Sequence, residues 1–101
     1  INVAGHRLST GEIEEVLDQH PAVKSSAVIG VADKSRGEVA LAFVELVDDA
    51  EFDDMALRSH CRERLAQFKV PREIRCLKEL PRNATGKIVR RSLTSETSSD
   101  V

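Results

Sequence analysis

The sequence predicts a single α+β domain in which helices pack against a small three-stranded sheet, in the order α-β-β-α-β followed by a loop and a short helix. Three observations lead to this prediction. Two segments carry apolar residues at helical spacing, two long runs between them are rich in Val and Ala, and a third β-rich run follows. The 101 residues are the length of one domain, and the sequence contains no internal repeat.

The first helix is predicted over residues 10–19. Ser9 and Glu12 have the S-x-x-E spacing of a capping box, in which each side chain binds a backbone N–H of the other residue. Pro21 ends the helix, since the residue before a proline is pushed out of the α region. Three apolar residues at i, i+3 and i+4 define its buried face: Ile13, Val16 and Leu17.

Two strands are predicted over residues 22–32 and 38–47. The polar link at residues 33–37 ends in glycine, which is typical of a hairpin connection. Nearly every position is apolar in the middle of both runs. We therefore expect both strands to be covered on both faces.

The second half of the chain predicts a helix, a strand, a loop and a short helix. Asp53 and Asp54 favour the start of the second helix, which is expected to continue to the Lys-Val-Pro segment at residues 69–71. Apolar residues at helical spacing mark its buried face: Leu57, Cys61, Leu65 and Phe68. The remaining predictions are a strand over 72–80 with Ile74, Cys76 and Leu77 inward, a loop from Pro81, a final helix at Ile88–Leu93, and a flexible polar tail at 94–101.

The composition excludes several classes of function. A formal net charge of −2 and only three aromatic residues argue against a nucleic-acid partner. No apolar run approaches the roughly 20 residues of a membrane span, and no signal peptide is visible, so we expect a cytoplasmic or mitochondrial-matrix protein. Cys61 and Cys76 are interpreted as core residues rather than a disulfide. No His or Cys spacing matches a metal site, so no metal is predicted.

Two short motifs are candidates for chemistry. Gly86-Lys87 is not a Walker motif, because the upstream glycine is missing and isoleucine follows the lysine. A lysine is nevertheless a compact charge suited to a phosphate or a developing oxyanion, and a basic cluster surrounds it: Arg82, Lys87, Arg90 and Arg91. The alternative is a solvated lysine in a surface turn. Residues 83–85 also form a glycosylation sequon, but nothing else in the sequence indicates secretion.

The second motif is Gly5-His6-Arg7, near the start of the sequence. A glycine lets the backbone come close to a ligand, and the adjacent arginine can bind a phosphate bidentately. The alternative is a tight turn before the first helix.

Three stretches in order, "INVAGHRLSTGEIEEVL", "RGEVALAFV" and "LPRNATGKIVRRSL", resemble the C-terminal domain of the adenylate-forming enzymes. This superfamily includes acyl-CoA synthetases, peptide-synthetase adenylation domains and luciferases. The resemblance covers residues 1–93. It implies a small lid domain that serves a larger N-terminal AMP-binding domain, which is absent from this chain.

The resemblance implies a role for each motif. Lys87 is the catalytic lysine of acyl-adenylate formation, and Thr85 and Gly86 shape the turn that presents it. In a second orientation of the lid, the other motif faces the same pocket. Residues of that motif and the alanine before it then contact coenzyme A (CoA) or phosphate groups: Ala4, Gly5, His6 and Arg7. Arg62, on the second helix, resembles a position used for the nucleotide end of CoA.

The resemblance also implies the reaction. A carboxylic acid and ATP, with Mg²⁺, give an acyl-AMP, and CoA then gives the thioester; the isolated domain is expected to be inactive. The opening residues resemble the acetyl- and propionyl-type synthetases, and the final loop the fatty-acyl branch. An acyltransferase and deacylase acting on Lys87 are expected as regulators. Two alternatives stay open: the lid of a carrier-protein acyl-AMP ligase, and a stand-alone α/β interaction module.

Overall fold

A computed structural model of the chain describes residues 1–3, 5–35 and 37–93, and it has the α+β architecture that the sequence predicts. Residues 90–93 are helical, so the predicted final helix starts two residues later than Ile88, which instead pairs with Arg82 in an antiparallel bridge. The predicted tail at 94–101 lies outside the described residues. The other elements, in chain order, are β1 (Asn2–Val3), β2 (His6–Arg7), α1 (Thr10–Asp18), β3 (Val23–Asp33), β4 (Gly37–Leu46), α2 (Asp54–Arg64), a 3₁₀ turn (Gln67–Lys69) and β5 (Glu73–Cys76).

The three predicted strands are present, and two strands of two residues each extend the sheet. The β3–β4 hairpin forms its centre, with continuous antiparallel pairing from Ser25↔Glu45 to Asp33↔Gly37. The other edge of β4 pairs with β1 at one end and, in parallel, with β5 further along. Strand β2 pairs only with β1 among the described strands. Two-residue strands are too short to show an alternating pattern, so sequence periodicity cannot predict them.

Both faces of the β3–β4 hairpin are covered, as predicted. Alternate residues of a strand point to opposite faces, and β4 supplies both clusters of buried side chains. Helices α1 and α2 cover one face, whose core includes Ile13, Leu17, Val28, Ala42, Val44, Leu57 and Cys61. The segment after β5 covers the other face, whose core consists of Ala27, Ile29, Leu41, Phe43, Leu80 and Leu93.

The predicted capping box is wrong. Ser9 is the N-cap of α1, but its side chain makes no capping hydrogen bond. The carboxylate of Glu12 instead accepts hydrogen bonds from Lys69 Nζ at 3.0 and 3.2 Å. This ion pair joins α1 to the turn after α2, and it draws the Glu12 side chain away from the helix start.

Helix α2 ends four residues earlier than the predicted boundary at Phe68. Leu65 is extended (φ −123°, ψ 150°), and the 3₁₀ turn that follows leaves Phe68 38% exposed. The cause is tertiary. Arg58 donates from Nη2 to Arg72 O at 2.7 Å, which holds the returning chain beside α2 so that β5 can pair with β4.

The third predicted strand is shorter than residues 72–80, and one of its inward residues is wrong. Ile74 is buried and Leu77 is half-buried, but Cys76 is exposed. Cys76 is the last residue of β5, and it is not part of the core cluster under the helices that includes Ile74. Both cysteines are free thiols, so they form no disulfide. Only Cys61 is buried, and the interpretation as a core residue therefore holds for Cys61 alone. Within the described part of the chain, no helix is long and apolar enough to cross a bilayer.

Candidate functional site

Lys87 lies in a small closed loop between Pro81 and Val89. Val89 N–H donates to Pro81 O at 2.9 Å, and Asn83 N–H donates to Lys87 O at 2.9 Å. Arg82 and Ile88 face each other in an antiparallel bridge between these two bonds. The loop is therefore a tight hairpin with a fixed backbone.

The side chain of Asn83 organises the tip of this loop. Its Oδ1 atom accepts hydrogen bonds from Thr85 N at 3.0 Å, Thr85 Oγ1 at 2.7 Å and Lys87 N at 3.0 Å. Asparagine is well suited to such a turn because its short side chain can replace a backbone carbonyl as acceptor. The carbonyl of Asn83 also accepts from Gly86 N at 2.9 Å.

Gly86 completes the turn through its backbone conformation. Its φ is +85°, in the left-handed region that residues with a Cβ rarely adopt. A Cβ placed on Gly86 would have no described atom within 4 Å, so the requirement for glycine here is conformational rather than steric.

Glu45 anchors the base of the loop to the sheet. This buried carboxylate accepts from Leu80 N–H at 3.0 Å and from Arg82 Nη1 at 3.0 Å, and Lys24 Nζ lies 3.4 Å from its other oxygen. The Leu80 hydrogen bond and the adjacent cations lower the pKa of Glu45, although burial acts in the opposite direction. Glu45 is therefore ionised at neutral pH.

The predicted basic cluster divides into paired and available cations. Arg82 binds Glu45 and also donates to Ser25 Oγ at 2.7 Å. Arg90 binds both carboxylate oxygens of Glu14 on α1, at 2.6 and 2.7 Å. Lys87 is exposed, and its Nζ makes no hydrogen bond or ion pair with any residue that the structure describes. The loop thus presents an available ammonium group on an ordered backbone.

The second motif forms the turn of the β1–β2 hairpin. Val3 pairs with His6, and Gly5, which directly precedes β2, has a φ of +84°. A Cβ on Gly5 would have no described atom within 4 Å. Arg7 is exposed, and its side chain has no bonding partner in the described part of the chain. Ala4, predicted to contact CoA, lies outside the described residues; His6 contributes its backbone to β2.

The two motifs are anchored at opposite ends of β4. Val3 pairs with Gly37, the first residue of β4, whereas Leu80 and Arg82 bind Glu45, close to its last residue. Eight residues separate these two anchor points, which corresponds to roughly 27 Å along a strand. The fold therefore attaches the Lys87 loop and the Gly5 turn to opposite ends of the same strand.

Arg62 belongs to neither group. It lies on α2, is exposed, and borders an open groove of about 380 Å³ with Leu65, Gln67 and Val70. Its guanidinium has no bonding partner among the described residues. In the same part of the chain, no three His, Cys, Asp or Glu side chains lie close enough together to hold a metal ion.

Sequence reasoning missed Asn83 and Glu45. Asn83 was visible only as part of a glycosylation sequon, although an asparagine two residues before a Thr-Gly pair also indicates a side-chain-capped turn. Glu45 is an acid within an apolar strand, which indicates a buried charge that needs a partner. Its partner, Arg82, is 37 residues away, and no local pattern links the two.

Comparisons with known proteins agree on the nature of the domain. The family model described as "AMP-binding enzyme C-terminal domain" matches residues 12–87. A 2-succinylbenzoate–CoA ligase of Geobacillus kaustophilus is 47% identical over 89 residues, which cover 88% of this chain and 18% of the relative. The human protein named acetyl-coenzyme A synthetase 2-like, mitochondrial, is 44% identical over 96 residues, which cover 92% of this chain and 14% of the relative.

Solved structures give the same result for the fold. A fatty acyl CoA synthetase of Mycobacterium tuberculosis superposes with a TM-score of 0.91 at 35% identity. The match covers 100% of this chain and 20% of that protein. The chain thus spans between one seventh and one fifth of the length of the relatives that it matches.

Proposed function

Because the chain belongs to the family of AMP-binding enzyme C-terminal domains, we propose that it is the lid of an AMP-forming acid–CoA ligase. In this proposal a larger N-terminal AMP-binding domain holds ATP, Mg²⁺ and most of the carboxylic acid. The lid contributes one loop to adenylate formation and another to thioester formation. The relatives reported above are named as CoA ligases or synthetases, which supports this reaction class.

The observation that carries the proposal is the ammonium group of Lys87, which is exposed and has no partner among the described residues. In the first half-reaction a carboxylate oxygen attacks the α-phosphorus of ATP, a new P–O bond forms, and the bond to pyrophosphate breaks. Negative charge accumulates on the phosphoryl oxygens during this step. An ammonium group carried on an ordered loop can stabilise that charge once it lies beside the phosphoryl oxygens.

The second half-reaction is assigned to the Gly5 turn. The CoA thiolate attacks the acyl carbon, and AMP leaves with the electron pair of the C–O bond. Gly5 has open space around its Cα, which suits a turn that lines the narrow pantetheine channel. Arg7 and Arg62, both exposed and unpaired in the described part of the chain, supply positive charge for the phosphates of CoA.

The separation of the two motifs supports alternation between them. Two loops anchored roughly 27 Å apart along one strand suit successive rather than simultaneous contact with one reaction centre. We infer that a rigid lid carrying both motifs turns between the half-reactions. The relatives are named for different acids, and the proposal leaves acid selection to the N-terminal domain.

Exchange of labelled pyrophosphate into ATP, which reports adenylation alone, tests this proposal in the full-length ligase. Lys87→Ala is expected to lower the exchange rate about 10²–10³-fold, the usual effect of removing one stabilising group from such a site. Lys78→Ala removes an exposed lysine outside the loop and serves as the matched control. Equal exchange rates in the two variants would reject the catalytic role of Lys87.

We also propose that Lys87 is a site of reversible acylation. Its exposure makes it accessible to an acyltransferase, and acylation would remove the charge that the first half-reaction uses. Incubation with an acyl donor and an acyltransferase, followed by peptide mapping, tests this. An unmodified Lys87 alongside modified lysines elsewhere would contradict it.

A further inference from the structure

We propose that Asn83 is a positioning residue that holds the Lys87 loop in its active conformation. The proposal rests on the role assigned to Lys87 above. Asn83 binds both the backbone carbonyl and the backbone N–H of Lys87. Asn83 N–H donates to Lys87 O at 2.9 Å, and Asn83 Oδ1 accepts from Lys87 N at 3.0 Å.

Asn83 Oδ1 also binds Thr85, the middle residue of the three that separate Asn83 from Lys87. Thr85 donates to Asn83 Oδ1 from its backbone N at 3.0 Å and from its hydroxyl at 2.7 Å. Asn83 and Thr85 are both exposed, so water could satisfy their polar groups. These hydrogen bonds are therefore not needed to satisfy buried polar groups. We infer that they favour one conformation of the loop.

Other contacts hold the base of the loop but not its tip. The Glu45 carboxylate binds Leu80 and Arg82, which precede Asn83. Ile88 and Val89 contribute the strand-like pairing that closes the hairpin. Between these two ends, the hydrogen bonds of Asn83 define the path of the backbone that carries Lys87.

Loss of the Oδ1 acceptor should therefore affect the rate of adenylation more than substrate binding. Without it, the tip samples further conformations and the ammonium occupies its active position for a smaller fraction of the time. ATP and the acid are assigned to the N-terminal domain, so their KM values should change little. Thioester formation should be unaffected, since the Gly5 turn is anchored at the other end of β4.

A matched pair of variants in the full-length ligase tests the proposal. Asn83→Leu keeps the size of the side chain but removes the acceptor, whereas Asn83→Asp keeps an acceptor oxygen at the same position. We expect Asn83→Leu to lower kcat for adenylation about 5- to 30-fold, because the three donors that lose Oδ1 are exposed and water can replace part of their hydrogen bonding. Asn83→Asp should stay within about threefold of the parent enzyme.

Two further readouts separate positioning from general stability. Amide hydrogen exchange in the peptide that spans residues 81–89 should be faster in Asn83→Leu but not in Asn83→Asp. The thermal unfolding midpoint should be the same in both variants. In a Lys87→Ala background, Asn83→Leu should cause no further loss of adenylation, because Asn83 acts through Lys87.

The outcomes distinguish this proposal from the one on which it rests. If Lys87→Ala retains adenylation, the proposed function is wrong. If Lys87→Ala abolishes adenylation but Asn83→Leu and Asn83→Asp behave alike, in rate and in exchange, only the positioning role is wrong. A further loss in the double variant would also overturn it, since Asn83 would then act by another route.

Discussion

The guanidinium of Arg82 donates to the buried carboxylate of Glu45 across 3.0 Å and ties the Lys87 loop to the end of β4. The same carboxylate oxygen accepts the Leu80 N–H, also at 3.0 Å. The sheet and the loop therefore share one buried ion, on which the placement of the candidate catalytic lysine depends.

Removal of the Glu45 carboxylate should destabilise the domain. Glu45→Leu leaves the Leu80 N–H and the Arg82 guanidinium without their acceptor, and we expect a loss of about 2 kcal/mol in the free energy of unfolding. Arg82 is partly exposed, so water limits the cost. Glu45→Gln keeps an acceptor for Leu80 and should lose about 1 kcal/mol. Urea unfolding measures both values, and parental stability in Glu45→Leu would contradict the anchor.

The left-handed conformation of Gly86 predicts a second effect on stability. Gly86→Ala should cost about 1 kcal/mol, because a Cβ disfavours a φ of +85°. Gly86→Asn should cost less, since asparagine adopts this region more readily. A Cβ at Gly86 has no described neighbour within 4 Å, so a clash should not contribute. If urea unfolding showed that Gly86→Asn is no more stable than Gly86→Ala, the conformational explanation would be rejected.

His20 predicts a loss of stability at mildly acidic pH. Its Nδ1 accepts the Ala22 N–H at 3.1 Å, and its ring contacts the His60 ring edge-on at a centroid distance of 5.1 Å. Burial lowers the pKa of His20 below 6.5, and the nearby His60 and Arg64 lower it further, whereas Asp53 opposes them. The neutral imidazole is therefore the form that the fold favours.

The sign of the pH effect follows from that lowered pKa. As the pH falls below 6.5, the unfolded chain binds the proton before the folded chain does. The contribution of His20 is thus fully present above pH 6.5 and is lost as the pH falls through the folded pKa. Glu45, with a pKa below 4.5, loses its contribution only at lower pH.

His20→Asn keeps a δ-position acceptor for Ala22 and removes the titration. Its unfolding midpoint should therefore fall less between pH 7.5 and 5.5 than that of the parent chain. Thermal unfolding at several pH values checks this, and equal slopes for the two chains would exclude His20 as the source.

The two cysteines should differ in reactivity. Cys76 is exposed, whereas Cys61 is fully buried, and burial raises the pKa of the Cys61 thiol. Iodoacetamide should therefore label Cys76 in the folded chain and Cys61 only after unfolding, because the accessible thiolate is the nucleophile. Peptide mapping identifies the labelled site, and folded Cys76→Ser should remain unlabelled. Native labelling of Cys61 at a similar rate would show that the α2 core opens readily.

Sequence reasoning predicted the elements that have long, regular patterns. Helix α1 was found because its apolar residues recur at i, i+3 and i+4, and the β3–β4 hairpin because two apolar runs flank a polar link that ends in glycine. The errors lie where tertiary contacts override local pattern. Glu12 binds Lys69 rather than capping α1, and Arg58 holds the chain that returns after α2.

The candidate site shows the same division. Lys87 and Gly5 could be named from motifs, because short motifs and the glycines within them are visible in a linear sequence. Glu45 could not be linked to Arg82, since their contact spans 37 residues. The anchoring of the two motifs at opposite ends of β4 depends on strand pairing, which periodicity alone does not provide.

In the function we propose, one lid serves two half-reactions with two separate loops. The most direct test assays Lys87→Ala and Gly5→Asn in the full-length ligase, with adenylation and thioester formation from supplied acyl-AMP measured separately. Asparagine tolerates the φ of +84° at Gly5, so this variant adds a side chain with little backbone strain.

We expect opposite losses in the two variants. Lys87→Ala should lose adenylation about 10²–10³-fold and still form thioester, whereas Gly5→Asn should keep adenylation and lose thioester formation. If both variants retained both half-reactions, or if each lost both equally, the assignment of separate roles to the two loops would be contradicted.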